Sequence, residues 1–311
     1  MGYLLHRILS TLPVMGVVAV VVFMLIHLSP GDPAALIAGD LATEEDIARL
    51  REALGLNQPL WRQFVIWAGG LLTGDLGTSI FTQVPVTQLL AQRIEPTVAI
   101  AGLTMLVTLL LAIPLGTLAA YRAGSWVDRL VMVFSVFAFS VPVFLIGYLL
   151  IYGLSIQLQW FPVQGYVKLE EGVWPWLRSL VLPCVNLALI YMALITRMTR
   201  ATVLEVLQED YIRTARAKGL GVLSVLLHAL RNAAIPIATT VGAGIAMLIG
   251  GVVVTETVFA IPGVGRLVVD SVQRHDYPVI QSVLLISAAV YVFINLLIDL
   301  SYRFFDPRIQ Y

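Results

Sequence analysis

Five charged side chains fall within one short stretch, "EDYIRTARAKGL", residues 209–220: Glu209, Asp210, Arg213, Arg216 and Lys218, followed by Gly219. The chain as a whole is 59% hydrophobic and 12% charged, so this cluster stands out from its apolar surroundings as a place for ionic chemistry. Mixed charges on a short helix pair with an opposing surface, which is docking chemistry. Catalysis would need an acid, a base and a nucleophile placed together, and no such set appears. There is no GxxxxGK[ST] phosphate loop, so the chain has no visible means of hydrolysing ATP. "IPGVGR" at 261–266 has too few glycines for a phosphate cradle and reads as a turn beside a membrane interface. No HExxH, no matched serine and histidine, and no cluster of metal ligands is present. The single cysteine, Cys184, can form no internal disulfide and reads as packing within a span.

The elements that must position these residues are set by hydropathy. A mean hydropathy of +0.90 marks a polytopic membrane protein, and the balance of 19 basic and 19 acidic residues gives no charge signal for nucleic acid. Charge-free windows of about 18 residues or more can cross a hydrocarbon core of about 30 Å as helix. Six are predicted: Ile8 to Ser29, Thr97 to Tyr121, Leu130 to about Leu154, Ser179 to Thr196, Asn232 to Thr255, and Tyr277 to Ile298. The first has the basic start of a signal peptide, but it runs too long and no cleavage site follows, so it is expected to be retained.

Basic residues in short connections orient the spans. Arg7, Arg122, Arg129, Arg197, Arg200, Arg213, Arg216, Lys218, Arg231, Arg303 and Arg308 share the side of the N-terminus. Only Lys168, Arg178, Arg266 and Arg274 occupy short loops on the other. Both termini are therefore expected in the cytoplasm, and the charged stretch with them.

The loop between the first two spans, residues 30–96, carries its own helix signals. Thr43 can cap a helix with Asp46 three residues on, Glu44 and Glu45 suit its dipole, Ile47, Leu50 and Leu54 share a face, and Gly55 stops it. A second helix is predicted from Pro59 to about Leu72, with Trp61, Phe64, Trp67 and Leu71 suited to a membrane interface. The loop is either solvated packing over the span ends or a platform for an outside partner.

An ion-coupled secondary carrier would keep a carboxylate or histidine near the bilayer midplane, where each charge costs about 2.5–3.5 kcal/mol. Glu256, Asp299 and His27 lie instead at predicted span ends, where snorkelling or interface capping is expected. The spans offer a membrane enzyme no reactive set either. The driving force is thus expected from another subunit, which directs attention to the cytoplasmic loop between the fourth and fifth spans, 200–234. "RATVLEVLQEDYIRTARAKG" is predicted helical, supported by a Glu209 and Arg213 pair and ended by Gly219. "VLSVLLHALRNAAIP" then places Val222, Leu223, Val225, Leu226 and Leu227 outside the membrane, an apolar helix that needs a protein partner.

"RTARAKGL" followed by "HALRNAAIP" resembles the coupling-loop motif of the inner-membrane permeases of ABC importers, with Arg213, Thr214 and Ala215 at its first three positions and Gly219 at its glycine. The form is similar to B-type permeases of the dipeptide, oligopeptide, nickel and glutathione branch. "LSPGDPA", "LGLNQPLWRQF", "GDLGTS", "PGVGRLVVDSV", "DYPVIQ" and "DPRIQY" match in order over nearly the whole chain. Pro236 stands further from Gly219 than in the general pattern, and "GVLSV" is unusually apolar. The latter either buries against an ATPase or packs on the permease itself.

The resemblance implies an all-α membrane protein with six transmembrane helices, the type I importer permease fold, and a helical extracytoplasmic loop. The corresponding segments are 1–29, 30–96, a permease core at 97–303 and a cytoplasmic tail at 304–311. It also implies a bacterial inner-membrane location and a complex with a second, C-type permease, two cytoplasmic ABC ATPases and an extracytoplasmic substrate-binding protein. The cargo would be di- or oligopeptides, with glutathione or nickel as alternatives. ATP and magnesium would be held by the ATPases, leaving this chain with no cofactor, metal or catalytic residue. Coupling roles carry over to Asp210, Tyr211, Arg213, Thr214, Ala215, Lys218 and Gly219. Residues lining the substrate path are not marked by any motif.

Overall fold

The computed structural model describes residues 2–28, 32–38, 42–53 and 55–305. The "DPRIQY" stretch, Leu54, and Ser29 to Gly31 of "LSPGDPA" lie outside them. The helices in chain order are α1 (Gly2–Leu28), α2 (Pro33–Ala38), α3 (Glu44–Ala53), α4 (Leu60–Leu72), α5 (Val86–Tyr121), α6 (Trp126–Ser140), α7 (Val143–Leu150), α8 (Val173–Val206), α9 (Asp210–Ala217), α10 (Val222–Asn232), α11 (Ala234–Val258), α12 (Val264–Gln273) and α13 (Tyr277–Phe305). Among the described residues, five helices are long and apolar enough to span, and the pair α6 and α7 makes a sixth if taken as one broken span. This is an all-α membrane protein, as its sequence predicts.

The third window differs from a straight helix. α6 and α7 meet at 102°, because Pro142 supplies no N–H and pushes the residue before it out of the helical region. Val141 accordingly has φ −86° and ψ 130°. Ser135 and Ser140 bond back to the Val131 and Val136 carbonyls within α6. α7 runs on into wider π-type turns at Ile151–Gln157.

The chain forms two compact units. One comprises residues 1–95 and 266–293. Its loop helices follow the predicted signals: the Thr43 hydroxyl donates to Asp46 at 2.6 Å while the Asp46 amide donates back to Thr43 at 3.3 Å. The Thr43 hydroxyl, and the Thr43 backbone amide that donates to the same carboxylate at 3.2 Å, hold the Asp46 carboxyl below the usual range. α4 starts directly after Pro59, and Phe64 meets Phe23 of α1 edge-on and Trp67 meets it tilted, with centroids 5.3 and 5.6 Å away. The stretch after α4 is pinned by Asp276, whose carboxylate accepts from the Ser79 hydroxyl at 2.5 Å and the Ile80 amide at 3.1 Å, with Ser79 fully buried. Two motifs far apart in sequence, "GDLGTS" and "DYPVIQ", thus meet.

The other unit comprises residues 96–265 and 294–311. α8 is its axis, and the most enclosed of the candidate spans. Leu180, Leu187 and Tyr191 of α8 bury against Ile100 of α5, Leu248 and Val252 of α11, and Phe259 and Ile261 beyond it. Close approach is enforced at Gly116, where a Cβ would lie 2.7 Å from the Thr196 carbonyl.

Glu256 does not snorkel. It is fully buried, and its carboxylate accepts from the Thr97 hydroxyl at 2.5 Å, while Thr97 accepts from the Val264 amide at 2.8 Å. The turn carrying "IPGVGR" wraps this carboxylate so closely that a Cβ on Gly263 would collide with it, and one on Gly265 would lie 2.7 Å from the Val253 backbone. End-of-span placement was legible in the sequence. The tertiary turn that folds back over the end was not.

Candidate functional site

The candidate site is the segment from the end of α8 to the start of α11. The helix predicted across 200–219 is interrupted: α8 ends at Val206, residues Leu207 to Glu209 turn, and α9 begins at Asp210. Glu209 therefore stands at the N-cap with φ −64° and ψ 146°, outside helical geometry. Arg213 pairs with Asp210 at 3.2 Å rather than with Glu209. That pair is almost fully solvated, so it orients side chains and adds little stability.

α9 has one anchor. Ile212 is fully buried, in a cluster with Ala120 of α5, Val203 of α8, Leu207 just beyond it, Val225 and Ala229 of α10, and Ala233 and Ile237. Burying an isoleucine of this kind contributes about 1.5–3 kcal/mol. Around it, Asp210, Tyr211, Arg213, Thr214, Lys218 and Gly219 are exposed and Ala215 is half-buried. All seven predicted residues thus lie on a single eight-residue helix or its immediate exit. Tyr211 is tied down by a residue the sequence reading passed over: the Asn232 side-chain amide donates to its hydroxyl at 2.8 Å. Burial is the main influence raising the Tyr211 hydroxyl above its ordinary value, with the Asn232 bond opposing and the Glu209 charge assisting. Tyr211 consequently stays neutral through the physiological range. Ile212 could have been found from its position as the one large aliphatic of α9; Asn232, 21 residues from Tyr211, carries no such signal.

The exit from α9 fixes the direction of α10. Gly219 adopts φ +83°, and the Gly219 and Leu220 amides close back on the Arg216 and Ala215 carbonyls at 3.0 and 3.2 Å. This is a glycine stop of the left-handed kind, which costs a side-chain-bearing residue about 1–2 kcal/mol. α10 is then split by face. Val225 and Ala229 pack inward, while Val222, Leu223 and Leu227 are 51%, 72% and 58% exposed. The two readings of "GVLSV" thus divide between residues: one face packs on the chain itself and the other remains open. Beside it, Tyr121, Arg216, Leu220, Val222 and Val225 line a cleft of about 370 Å³. This arrangement can dock a partner through charge on α9 and apolar surface on α10.

The family models decide what kind of protein presents such a surface. Residues 1–101 match the N-terminal membrane component of binding-protein-dependent transport systems, and residues 112–311 match the binding-protein-dependent transport system inner membrane component. The chain belongs to this family. Its relatives among inner membrane components include a probable peptide ABC transporter permease protein of Sinorhizobium fredii (strain NBRC 101917 / NGR234), 53% identical over 310 residues and 99% of both chains. A putative peptide transport system permease protein of Brucella abortus (strain 2308) is 43% identical over 309 residues, 99% of this chain and 98% of that one. A glutathione transport system permease protein of Escherichia coli O6:H1 is 40% identical over 312 residues, 100% of this chain and 99% of that one. This inner membrane component is a multi-pass permease subunit of an ABC importer. It is a transport subunit and not an enzyme; ATP hydrolysis falls to other components of the system.

Proposed function

We propose that this chain forms half of the translocation path of a bacterial peptide importer, with α9 as the helix that receives the stroke of a cytoplasmic ATPase. Asp210, Tyr211, Arg213, Thr214, Ala215, Lys218 and Gly219 are its contact and turn residues. The observation that carries this reading is the α9 geometry: charged and polar side chains face outward from one buried anchor, Ile212, beside the open apolar face of α10. Isolated surface helices of this length are marginal in water. A helix held by one anchor and left charged is built to be completed by a partner.

The remaining components are a C-type permease, two ABC ATPases holding ATP and magnesium, and an extracytoplasmic binding protein. Both termini and α9 lie in the cytoplasm, in keeping with the excess of basic residues on that side. The segments at 1–29, 30–96, 97–303 and 304–311 serve as first span, outer cap, permease core and tail. Peptide cargo is supported by the printed names of the relatives at 53% and 43% identity. Glutathione is the second reading, supported by the relative at 40%, and is itself a small peptide. Purifying the partner binding protein and identifying its ligand by mass spectrometry tests the cargo. Peptides of two or more residues support the proposal, and a ligand that is no peptide overturns it.

A further inference from the structure

The ion pairs between described side chains at Glu45 and Arg49, Asp32 and Arg51, and Asp210 and Arg213 are each at least partly open to solvent. Asp128 and Arg200 differ, with side chains only 6% and 24% exposed. Arg200 Nε donates to Asp128 Oδ1 at 2.5 Å and its Nη2 to Oδ2 at 2.7 Å, a two-pronged fork that fixes direction as well as distance. Asp128 Oδ2 also accepts from the Gly124 amide at 2.9 Å. The carboxylate therefore closes the turn between α5 and α6 as it grips α8.

The position of this pair in the fold gives it a use. Asp128 lies in the first turn of α6, the leading limb of the bent span. Arg200 lies on α8 just before that helix breaks and turns into α9. Val203, on the same end of α8, and Leu207, immediately after it, share the apolar cluster with Ile212 of α9. Displacement of α9 is thus delivered to the end of α8 through close-packed side chains, which transmit strain with little give. We propose that the Asp128 and Arg200 pair is the strut that passes this displacement to the bent span α6 and α7. Both are positioning residues for transport, acting through α8. The inference rests on α9 being the ATPase-receiving helix.

The test uses the full complex with its ATPases and binding protein in lipid nanodiscs. Basal ATP hydrolysis and hydrolysis stimulated by the binding protein are measured separately. Asp128→Asn and Arg200→Gln are each expected to reduce stimulation about tenfold while basal hydrolysis stays within about twofold. The exchanged pair, Asp128→Arg with Arg200→Asp, is expected to recover part of the stimulation, because the fork is restored with its polarity reversed while the acceptor for the Gly124 amide is lost. Wild-type stimulation in either single variant overturns the proposal. So does an exchanged pair that assembles yet couples no better than the singles, or a parallel fall of basal and stimulated rates in all three, which marks a merely structural role. A wild-type complex in which no ATPase co-purifies overturns the functional reading, and the strut with it.

Discussion

Thr97 and Glu256, 159 residues apart, share a 2.5 Å hydrogen bond inside the unit built on α8. The bond joins the start of the second span to the end of the fifth, and the turn at Ile261 to Gly265 closes over it. Gly263 has no space for a methyl group beside the carboxylate. Gly263→Ala is therefore expected to destabilise the protein by about 1–3 kcal/mol through overpacking. Thr97→Val, which removes a donor to a buried carboxyl group, is expected to cost a similar amount. Thermal unfolding in detergent checks both, and variants melting with the wild type would refute this account of the turn.

Gly219 provides the converse case, because a Cβ there would meet open space and only the φ of +83° opposes it. Gly219→Asn is expected to retain assembly and coupling, since asparagine tolerates this conformation, whereas Gly219→Val is expected to lose about 1–2 kcal/mol and misdirect α10. ATP turnover by the assembled complex is the measurement. Equal turnover in the two variants would show that the left-handed turn is not required.

The two faces of α10 are expected to respond differently to the same chemistry. Val225→Asp places a charge in the cluster around Ile212 and is expected to abolish stable expression. Leu223→Asp, at a position 72% exposed, is expected to leave the isolated chain folded and weaken its retention of the ATPase by about 1–2 kcal/mol. Expression level and co-purification separate the two.

Tyr211→Phe removes the hydroxyl that accepts from Asn232. A loss of about 0.5–1.5 kcal/mol is expected, and Asn232→Ala added to it should cost little more. Because the tyrosine pKa is raised in the fold, its proton stabilises the fold below the ordinary tyrosine value, and that contribution fades as the pH climbs above it. Between pH 6 and about 9 the wild-type melting temperature should therefore carry no inflection from this residue.

Much of this was legible in sequence because local physics settles it. Charge-free windows located the spans, Thr43 and Asp46 announced their capping box, and Gly219 announced its turn. What escaped were features decided by neighbours distant in sequence. Pro142 sits in a window apolar enough to span, so hydropathy alone hid the 102° break. Glu256 looked like an interface residue because the turn that buries it lies beyond the span. The pair expected between Glu209 and Arg213 failed because α8 ends at Val206, leaving Glu209 as a cap and handing Arg213 to Asp210.

The central claim is that α9 meets an ATPase, and site-specific photo-crosslinking tests it most directly. A benzoylphenylalanine placed at Arg213, 76% exposed on α9, is compared with one at Trp61, 69% exposed on α4. In the intact complex, capture of the ATPase subunit from position 213 and not from position 61 is the expected result. Capture from position 61, or none from position 213 in a complex that still turns over ATP, would contradict it.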